Sequence, residues 1–133
     1  MHTPIALTLK QWQTSGQHYQ FCNDQSHDIF YRVQGKGEPL LLIHGFPSCS
    51  WDWHKITDSL AEHYQVISFD MLGFGFSDKP TQHRYSIFEQ ADITEALLKH
   101  LNIARCHILA HDYGDTVFQE LLARQIDSSL SFN

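Results

Sequence analysis

The order of apolar and polar residues divides the chain into a β-rich first third and a later part in which strands and helices alternate. Three segments of the first third have the residue pattern of strands and are separated by turn residues: Ile5–Thr14, Tyr19–Cys22 and Ile29–Val33. The next segment, Pro39–Ile43, is a continuous apolar run of strand length. Such runs are typical of parallel strands buried on both faces.

Beyond residue 50 the spacing of apolar residues becomes helical in three places. Ser50 is a predicted N-cap for a helix with Trp53, Ile56 and Leu60 along one side. Ser86 and Glu89 have the spacing of a capping box, which opens a second helix. A third helix follows residue 112, and its predicted buried side consists of five apolar residues: Val117, Phe118, Leu121, Leu122 and Ile126.

Short apolar strands separate these helices, at Tyr64–Phe69 and Arg105–Ala110. The segment Ser128–Asn133 alternates like the opening of a further strand. Alternation of strand and helix with short links predicts βαβ units and an α/β fold with a mostly parallel sheet. With 133 residues, the chain has the length of one domain or less.

Composition excludes several classes of function. The net charge is −6 and no run of Lys or Arg occurs, so we expect neither nucleic acid nor an anionic membrane as a partner. The longest apolar run is too short for a transmembrane segment, and the N-terminus lacks the pattern of a signal peptide. Three widely spaced cysteines without a C-x-x-C pair favour a reduced, cytoplasmic setting.

Candidate chemistry lies where three predicted strands end. His44-Gly45-Phe46-Pro47 follows the first strand, residues 70–78 follow the second, and Asp112 follows the third. Ligand sites of open α/β sheets lie at the carboxyl ends of strands. Asp112 stands in small-X-acid-X-Gly between a strand and a helix, the pattern of a nucleophile elbow with aspartate in the central place.

These motifs together strongly resemble the N-terminal half of the α/β-hydrolase fold. HGFP resembles the family's oxyanion loop, DMLGFGFSD its second strand-end loop and AHDYGD its nucleophile elbow. The aspartate is similar to that of the epoxide-hydrolase and haloalkane-dehalogenase branch. The longer string around it, His111–Val117 together with Gln119–Arg124, resembles hydrolases like mesoderm-specific transcript protein. The resemblance implies that residues 1–133 form a partial domain, without the cap and the C-terminal catalytic part.

The resemblance also implies a mechanism that needs neither a metal nor an organic cofactor. Asp112 would be the nucleophile that forms an alkyl-enzyme ester with a small apolar substrate, which is epoxide- or ester-like. The backbone amides of Phe46 and Tyr113 would form the oxyanion hole, and His44, Gly45, Phe46 and Tyr113 would contact the substrate. Tyr113 stands where dehalogenases of this type have a tryptophan, and Phe46 where they commonly have a polar residue. Dehalogenation is therefore disfavoured.

The family's histidine base follows the nucleophile in the chain, whereas all ten histidines here lie at or before His111. The chain alone is therefore expected to be inactive. The alternative is a non-catalytic product that binds a partner, or itself, through the open edge of the sheet at Arg105–Ala110.

Other interpretations of single residues remain open at this stage. Asp112 could be a helix N-cap, and Gly73-x-Gly75 could belong to a dinucleotide-binding loop. Asp70 has the features of a structural residue that supports its loop. Cys49 is more readily explained as a small buried apolar residue than as a nucleophile.

Overall fold

The computed structural model describes residues 7–130, and the side chains of residues 129 and 130 are not described. The elements follow in this order: α1 (Leu9–Thr14), β1 (Gln17–Cys22), β2 (Ser26–Gln34), β3 (Glu38–Ile43), a 3₁₀ turn (Ser50–Trp53), α2 (His54–Ala61), β4 (Tyr64–Phe69), α3 (Ile87–His100), β5 (His107–Ala110) and α4 (Tyr113–Leu130). The predicted α/β class with a β-rich start is confirmed.

Five strands form one mixed sheet in the order β1-β2-β4-β3-β5. The β1–β2 hairpin adds to β4 in antiparallel orientation, whereas β3 pairs in parallel with both β4 and β5. The part of the sheet that is parallel is thus the part built from strand–helix units, as the sequence pattern predicted.

The two faces of the sheet are covered by different helices. Leu41, Ile43 and Ile67 face a large apolar core that includes residues of α3 and α4. Leu40 and Leu42 face the opposite side, where residues of the 3₁₀ turn and α2 cover them. Burial on both faces explains why β3 is a continuous apolar run, and each fully buried side chain contributes about 1.5–3 kcal/mol.

The prediction of a strand over Ile5–Thr14 is wrong for the residues that the structure describes. Residues 9–14 form α1, and residues 5 and 6 lie outside the described part. Thr8 and Gln11 form a reciprocal capping box with bonds of 3.1 and 2.8 Å. Trp12 is buried and donates its indole N–H to Ser50 Oγ at 3.0 Å. The capping box and this tertiary contact favour a helix over the weak alternation of the segment.

Two helix starts differ in detail from their predictions. Ser50 is not the N-cap of α2, because it lies inside the 3₁₀ turn and its hydroxyl accepts from Trp12. Ile56, predicted to lie on one side of this helix with Trp53 and Leu60, is exposed. At α3 the Ser86 hydroxyl accepts from the Glu89 amide at 3.0 Å, as predicted, whereas the Glu89 carboxylate bonds to His83 and Asn23 instead of completing the box.

The end of the described chain also differs from its prediction. Residues 128–130 belong to α4 and do not begin a strand, while residues 131–133 lie outside the described part. Val117 is buried, but Leu122 and Ile126 are 42% and 51% exposed. The predicted buried side of α4 is therefore only partly buried.

Candidate active site

Three strand ends meet at one edge of the parallel part of the sheet. Ile43 pairs in register with Phe69 on one side and with Ala110 on the other, so β3, β4 and β5 end at the same level. The loops that leave these ends are the three segments singled out in the sequence. The structure therefore brings the predicted site loops together.

The turn between β5 and α4 has an unusual backbone conformation at Asp112. Its φ angle is 56°, in the left-handed region that residues other than glycine seldom adopt. The side chain is exposed, and its carboxylate has no hydrogen-bond partner among residues 7–130. Strain of this kind costs on the order of 1–3 kcal/mol and is concentrated at functional sites.

Among the described residues, Asp112 lacks the side-chain hydrogen bond that a helix N-cap requires. A capping carboxylate accepts from an amide in the first turn of the helix. Here the amide of Gly114 donates to the His111 carbonyl at 3.0 Å, and the amide of Asp115 donates to the Asp112 carbonyl at 2.9 Å. Backbone oxygens thus take both bonds, and the carboxylate stays free for other chemistry.

Two glycines permit the close approach of the loops around Asp112. A Cβ atom on Gly45 would lie 2.7 Å from Asp112 Cβ. A Cβ atom on Gly114 would lie 2.8 Å from the Ile43 carbonyl carbon and closer still to the carbonyl oxygens of Ile43 and His44. No side chain fits in either place, so the first turn of α4 packs directly on the end of β3.

Two backbone amides beside this turn have no acceptor among the described residues. Tyr113 is the first residue of α4, where an amide has no partner within the helix. Phe46 lies in the loop after β3, next to Gly45, and follows no regular hydrogen-bond pattern. Within the described residues, no hydrogen bond is donated by either amide. Both are available to an anion or to a developing oxyanion.

His44 lies behind the site, where it connects two of the loops. The ring is fully buried. Its Nδ1 is 2.8 Å from the Gly45 carbonyl, and its Nε2 accepts from the Met71 amide at 3.0 Å. This arrangement assigns the neutral Nδ1–H tautomer. Because both ring nitrogens of His44 form hydrogen bonds within the protein, this residue, which was predicted to contact the substrate, is placed to hold the Gly45–Phe46 backbone.

Burial lowers the pKa of His44, although the hydrogen bond to Gly45 and the charge of Asp70 act in the opposite direction. We expect this residue to reduce stability as the pH falls below about 6.5, the ordinary histidine value. The unfolded chain takes up a proton there, whereas the folded ring stays neutral to a lower pH, so acid favours the unfolded state. Chemical denaturation of the wild type and of His44→Gln at a series of pH values measures the effect.

His63→Gln, which changes an exposed histidine, serves as the control. The free energy of unfolding should fall less steeply with acid in His44→Gln than in either of the other two proteins. Equal slopes for all three would contradict a neutral, buried His44.

Asp70 supports the loop after β4, as the sequence analysis suggested. Its buried carboxylate accepts from the amides of Ser50 at 2.7 Å and Phe76 at 2.8 Å. Its backbone carbonyl accepts from the Ser77 hydroxyl at 2.5 Å. A buried carboxylate with charge-assisted bonds to two loops fixes their separation, which is a structural task.

A cavity of about 370 Å³ opens beside the strand ends. Its lining is mostly apolar and comes from four parts of the chain: Phe46, Leu72, Gly73, Phe74, Tyr85, Gln90 and Tyr113. Phe74 is central, because its ring lies 6.1 Å from the rings of both Phe46 and Tyr113. The Phe46 side chain is 67% exposed at the mouth of the cavity. Burial raises the pKa of the Tyr113 phenol, which therefore remains a hydrogen-bond donor at neutral pH.

The structure thus adds residues that sequence reasoning missed. Phe74, Tyr85 and Gln90 were not candidates, although each lines the cavity. Gln90 is buried and its amide group bonds to both backbone groups of Leu72, at 3.1 and 2.9 Å. A polar residue on the apolar side of α3 was the one available signal for this contact.

Two alternative interpretations receive no support from the site. Gly73 and Gly75 have positive φ angles in a loop that does not open a helix, since α3 begins only at Ile87. A dinucleotide-binding loop leads directly into a helix. Burial raises the pKa of the Cys49 thiol, which disfavours the reactive thiolate.

Comparison with known proteins identifies the family. Residues 38–128, which include all three strand-end loops, match the family model described as alpha/beta hydrolase fold. The chain belongs to this family. The match agrees with the family resemblance of the three strand-end loops in the sequence.

Individual relatives agree with this assignment. The chain is 48% identical over 134 aligned positions to the mesoderm-specific transcript homolog protein of Bos taurus, which covers 93% of this chain and 39% of that protein. A soluble epoxide hydrolase of Corynebacterium sp. is 34% identical, over 67% of this chain and 31% of its own length. The chain therefore spans about two fifths or less of these relatives.

A solved structure shows the same fold. An alpha/beta hydrolase fold protein from Burkholderia ambifaria superposes with a TM-score of 0.64 at 36% identity, over 74% of this chain and 38% of that one. Within residues 7–130, none of the helices combines the length and apolar character needed to cross a membrane.

Proposed function

We propose that this α/β hydrolase acts through a covalent ester on Asp112 and hydrolyses small apolar epoxide- or ester-like substrates. The observation that carries the proposal is the backbone at Asp112. An exposed carboxylate without a hydrogen-bond partner among the described residues stands on a left-handed turn between strand and helix. Such a turn presents one side chain above the sheet edge, as in a nucleophile elbow.

The chemistry takes two steps. A carboxylate oxygen of Asp112 attacks the substrate carbon, the carbon–oxygen bond of the epoxide breaks, and the released oxygen takes a proton from an acid that we assign to the cap. With an ester substrate, the attacked alkyl carbon releases a carboxylate as the leaving group. Water then attacks the carbonyl carbon of the new ester, and the oxyanion accepts hydrogen bonds from the amides of Phe46 and Tyr113. Collapse of this intermediate releases the alcohol and restores the carboxylate. One such donor contributes about 3–4 kcal/mol to stabilising the transition state.

The second step needs a base that activates water. His44 is a poor candidate because both of its ring nitrogens are engaged within the protein. No histidine follows His111 in this chain. We assign the base, the cap and the remaining catalytic part to the portion of the relatives that this chain does not span, and we expect the chain alone to be inactive.

The cavity favours small, largely apolar substrates. Phe46, Phe74 and Tyr113 present aromatic rings, and the Tyr113 phenol is a hydrogen-bond donor. Neither Phe46 nor Tyr113 supplies the usual halide contacts of the dehalogenases in this branch. Epoxides and esters therefore rank above haloalkanes as substrates.

A substrate panel on the full natural protein tests the proposal. We expect turnover of apolar epoxides or simple esters and little turnover of haloalkanes of matched size. Phe74→Ala, which removes an aromatic wall of the cavity, should raise KM about tenfold, because it removes apolar contact with the substrate. Turnover of haloalkanes alone would contradict the substrate assignment.

A second candidate function is partner binding or self-association at the β5 edge. Leu109 on that edge strand is 41% exposed, and Leu122 and Ile126 of α4 lie open as well. Exposed strand edges invite pairing with another chain. This function is excluded if the protein stays monomeric at high concentration and binds no partner.

A further inference from the structure

A cluster of two histidines and a glutamate lies outside the candidate active site. His27 belongs to β2, His83 precedes α3, and Glu89 lies in the first turn of α3. Each side chain offers one ligand atom, and these atoms all lie within 4.8 Å of one another. The His27 and His83 rings meet edge to face, with 5.1 Å between their centroids.

His27 has an unsatisfied polar atom at this place. The residue is only 3% exposed, and its Nε2 is buried without a hydrogen-bond partner among the described residues. A buried polar atom without a partner costs about 1–3 kcal/mol, and folded proteins seldom tolerate one without a reason. A ligand that accepts the nitrogen lone pair would remove this cost.

The other two members are held close to His27 by their own contacts. His83 Nε2 lies 2.6 Å from Glu89 Oε1, and both side chains are only 14% exposed. The second carboxylate oxygen of Glu89 accepts from Asn23 Nδ2 at 3.4 Å. The carboxylate is thus directed at the cluster instead of back to its own helix cap.

A comparison within the molecule sets this cluster apart from ordinary surface pairs. His107 and Glu38 also form a histidine–carboxylate pair, at 2.7 Å, but their side chains are 60% and 74% exposed. No third ligand accompanies that pair among the described residues. The buried His27 therefore distinguishes the cluster from a pair formed by chance at the surface.

We propose that His27, His83 and Glu89 bind a divalent transition-metal ion, with Zn²⁺ as the best match. Two imidazoles and one carboxylate are established zinc ligands, and a water molecule completes the tetrahedron. Metal–nitrogen distances of about 2.0–2.1 Å bring tetrahedral ligands to about 3.3 Å from one another. Side-chain rotation of His83 and Glu89, which are both partly exposed, closes the remaining gap. The hydrogen bond between them is replaced by two bonds to the metal.

The ion would have a structural role that is independent of the hydrolysis. It links β2 to the start of α3 through the segment that precedes this helix. His83 also packs on Tyr85, with 4.8 Å between the ring centroids, and Tyr85 lines the active-site cavity. Metal binding would thereby fix one wall of the cavity without contact to the reacting atoms.

The test is metal binding by the full natural protein after removal of metals with a chelator. Calorimetric titration with Zn²⁺ should show one site per chain. His83→Gln and Glu89→Gln should each weaken binding at least tenfold, since each removes a ligand. His107→Gln, which breaks the matched surface pair, should leave the affinity unchanged. X-ray absorption of the zinc-loaded wild type should report two imidazole ligands, and this result does not depend on whether a variant folds.

Three results would each overturn the proposal. The first is the absence of a stoichiometric site in the wild type. The second is binding that persists undiminished in both His83→Gln and Glu89→Gln. The third is a zinc ion with fewer than two imidazole ligands.

Discussion

Replacing Asp112 with asparagine should abolish hydrolysis by the full protein. The amide has nearly the shape of the carboxylate but is a far weaker nucleophile, so the ester does not form. Removal of a catalytic nucleophile lowers kcat by about 10⁴–10⁶ in enzymes where it has been measured. Steady-state kinetics with the best epoxide or ester substrate measures the loss.

Asp115→Asn is the matched control for this substitution. Asp115 lies one turn further along α4, and its carboxylate accepts from Gln119 at 3.2 Å on the surface. The control should keep kcat within about threefold of the wild type, as expected for a surface change away from the site. Equal activity of Asp112→Asn and the wild type would exclude Asp112 as the nucleophile.

Replacing Gly114 with alanine should destabilise the fold by about 3 kcal/mol. The added methyl group would overlap the carbonyl oxygens of Ile43 and His44, which are backbone atoms at the end of β3. A backbone neighbour cannot move aside as a side chain can, so α4 must shift away from the sheet. The change is a large part of the roughly 5–15 kcal/mol by which proteins of this kind are stable. Equilibrium unfolding in urea measures it.

Thr116→Ala is the control for the glycine substitution, because it adds a good helix former at an exposed position of the same helix. Its stability should stay within about 0.5 kcal/mol of the wild type. A Gly114→Ala protein as stable as this control would mean that α4 does not approach β3 as closely as described.

The parallel part of the fold could be predicted because its signals are local. The apolar runs at β3 and β4 are buried on both faces, so each strand is visible in the sequence by itself. The helix α1 could not be predicted from periodicity, because it is short and its stability depends on the contact of Trp12 with Ser50, 38 residues away. The capping box of Thr8 and Gln11 is visible in the sequence and indicates a helix, but the alternation of apolar and polar residues in the same segment indicates a strand.

The site could be predicted in part for the same physical reason. Asp112, Phe46 and Tyr113 lie in short motifs, and the register of β3 with β5 brings the ends of their strands together. Phe74 and Tyr85 line the same cavity only because the long loop after β4 folds back over it. No regular spacing in the sequence indicates that Phe74 and Tyr85 line one cavity. The cluster of His27, His83 and Glu89 spans 62 positions and is assembled by tertiary structure alone.

Isotope labelling of the full protein in H₂¹⁸O tests the ester mechanism most directly. In a single turnover, the oxygen that enters the product comes from Asp112, while the oxygen of water enters the restored carboxylate. We expect unlabelled product and an ¹⁸O atom in the peptide that contains Asp112, with no label at Asp115 when fragmentation resolves the two. Labelled product together with an unlabelled Asp112 would mean that water attacks the substrate directly, and would contradict an ester intermediate on Asp112.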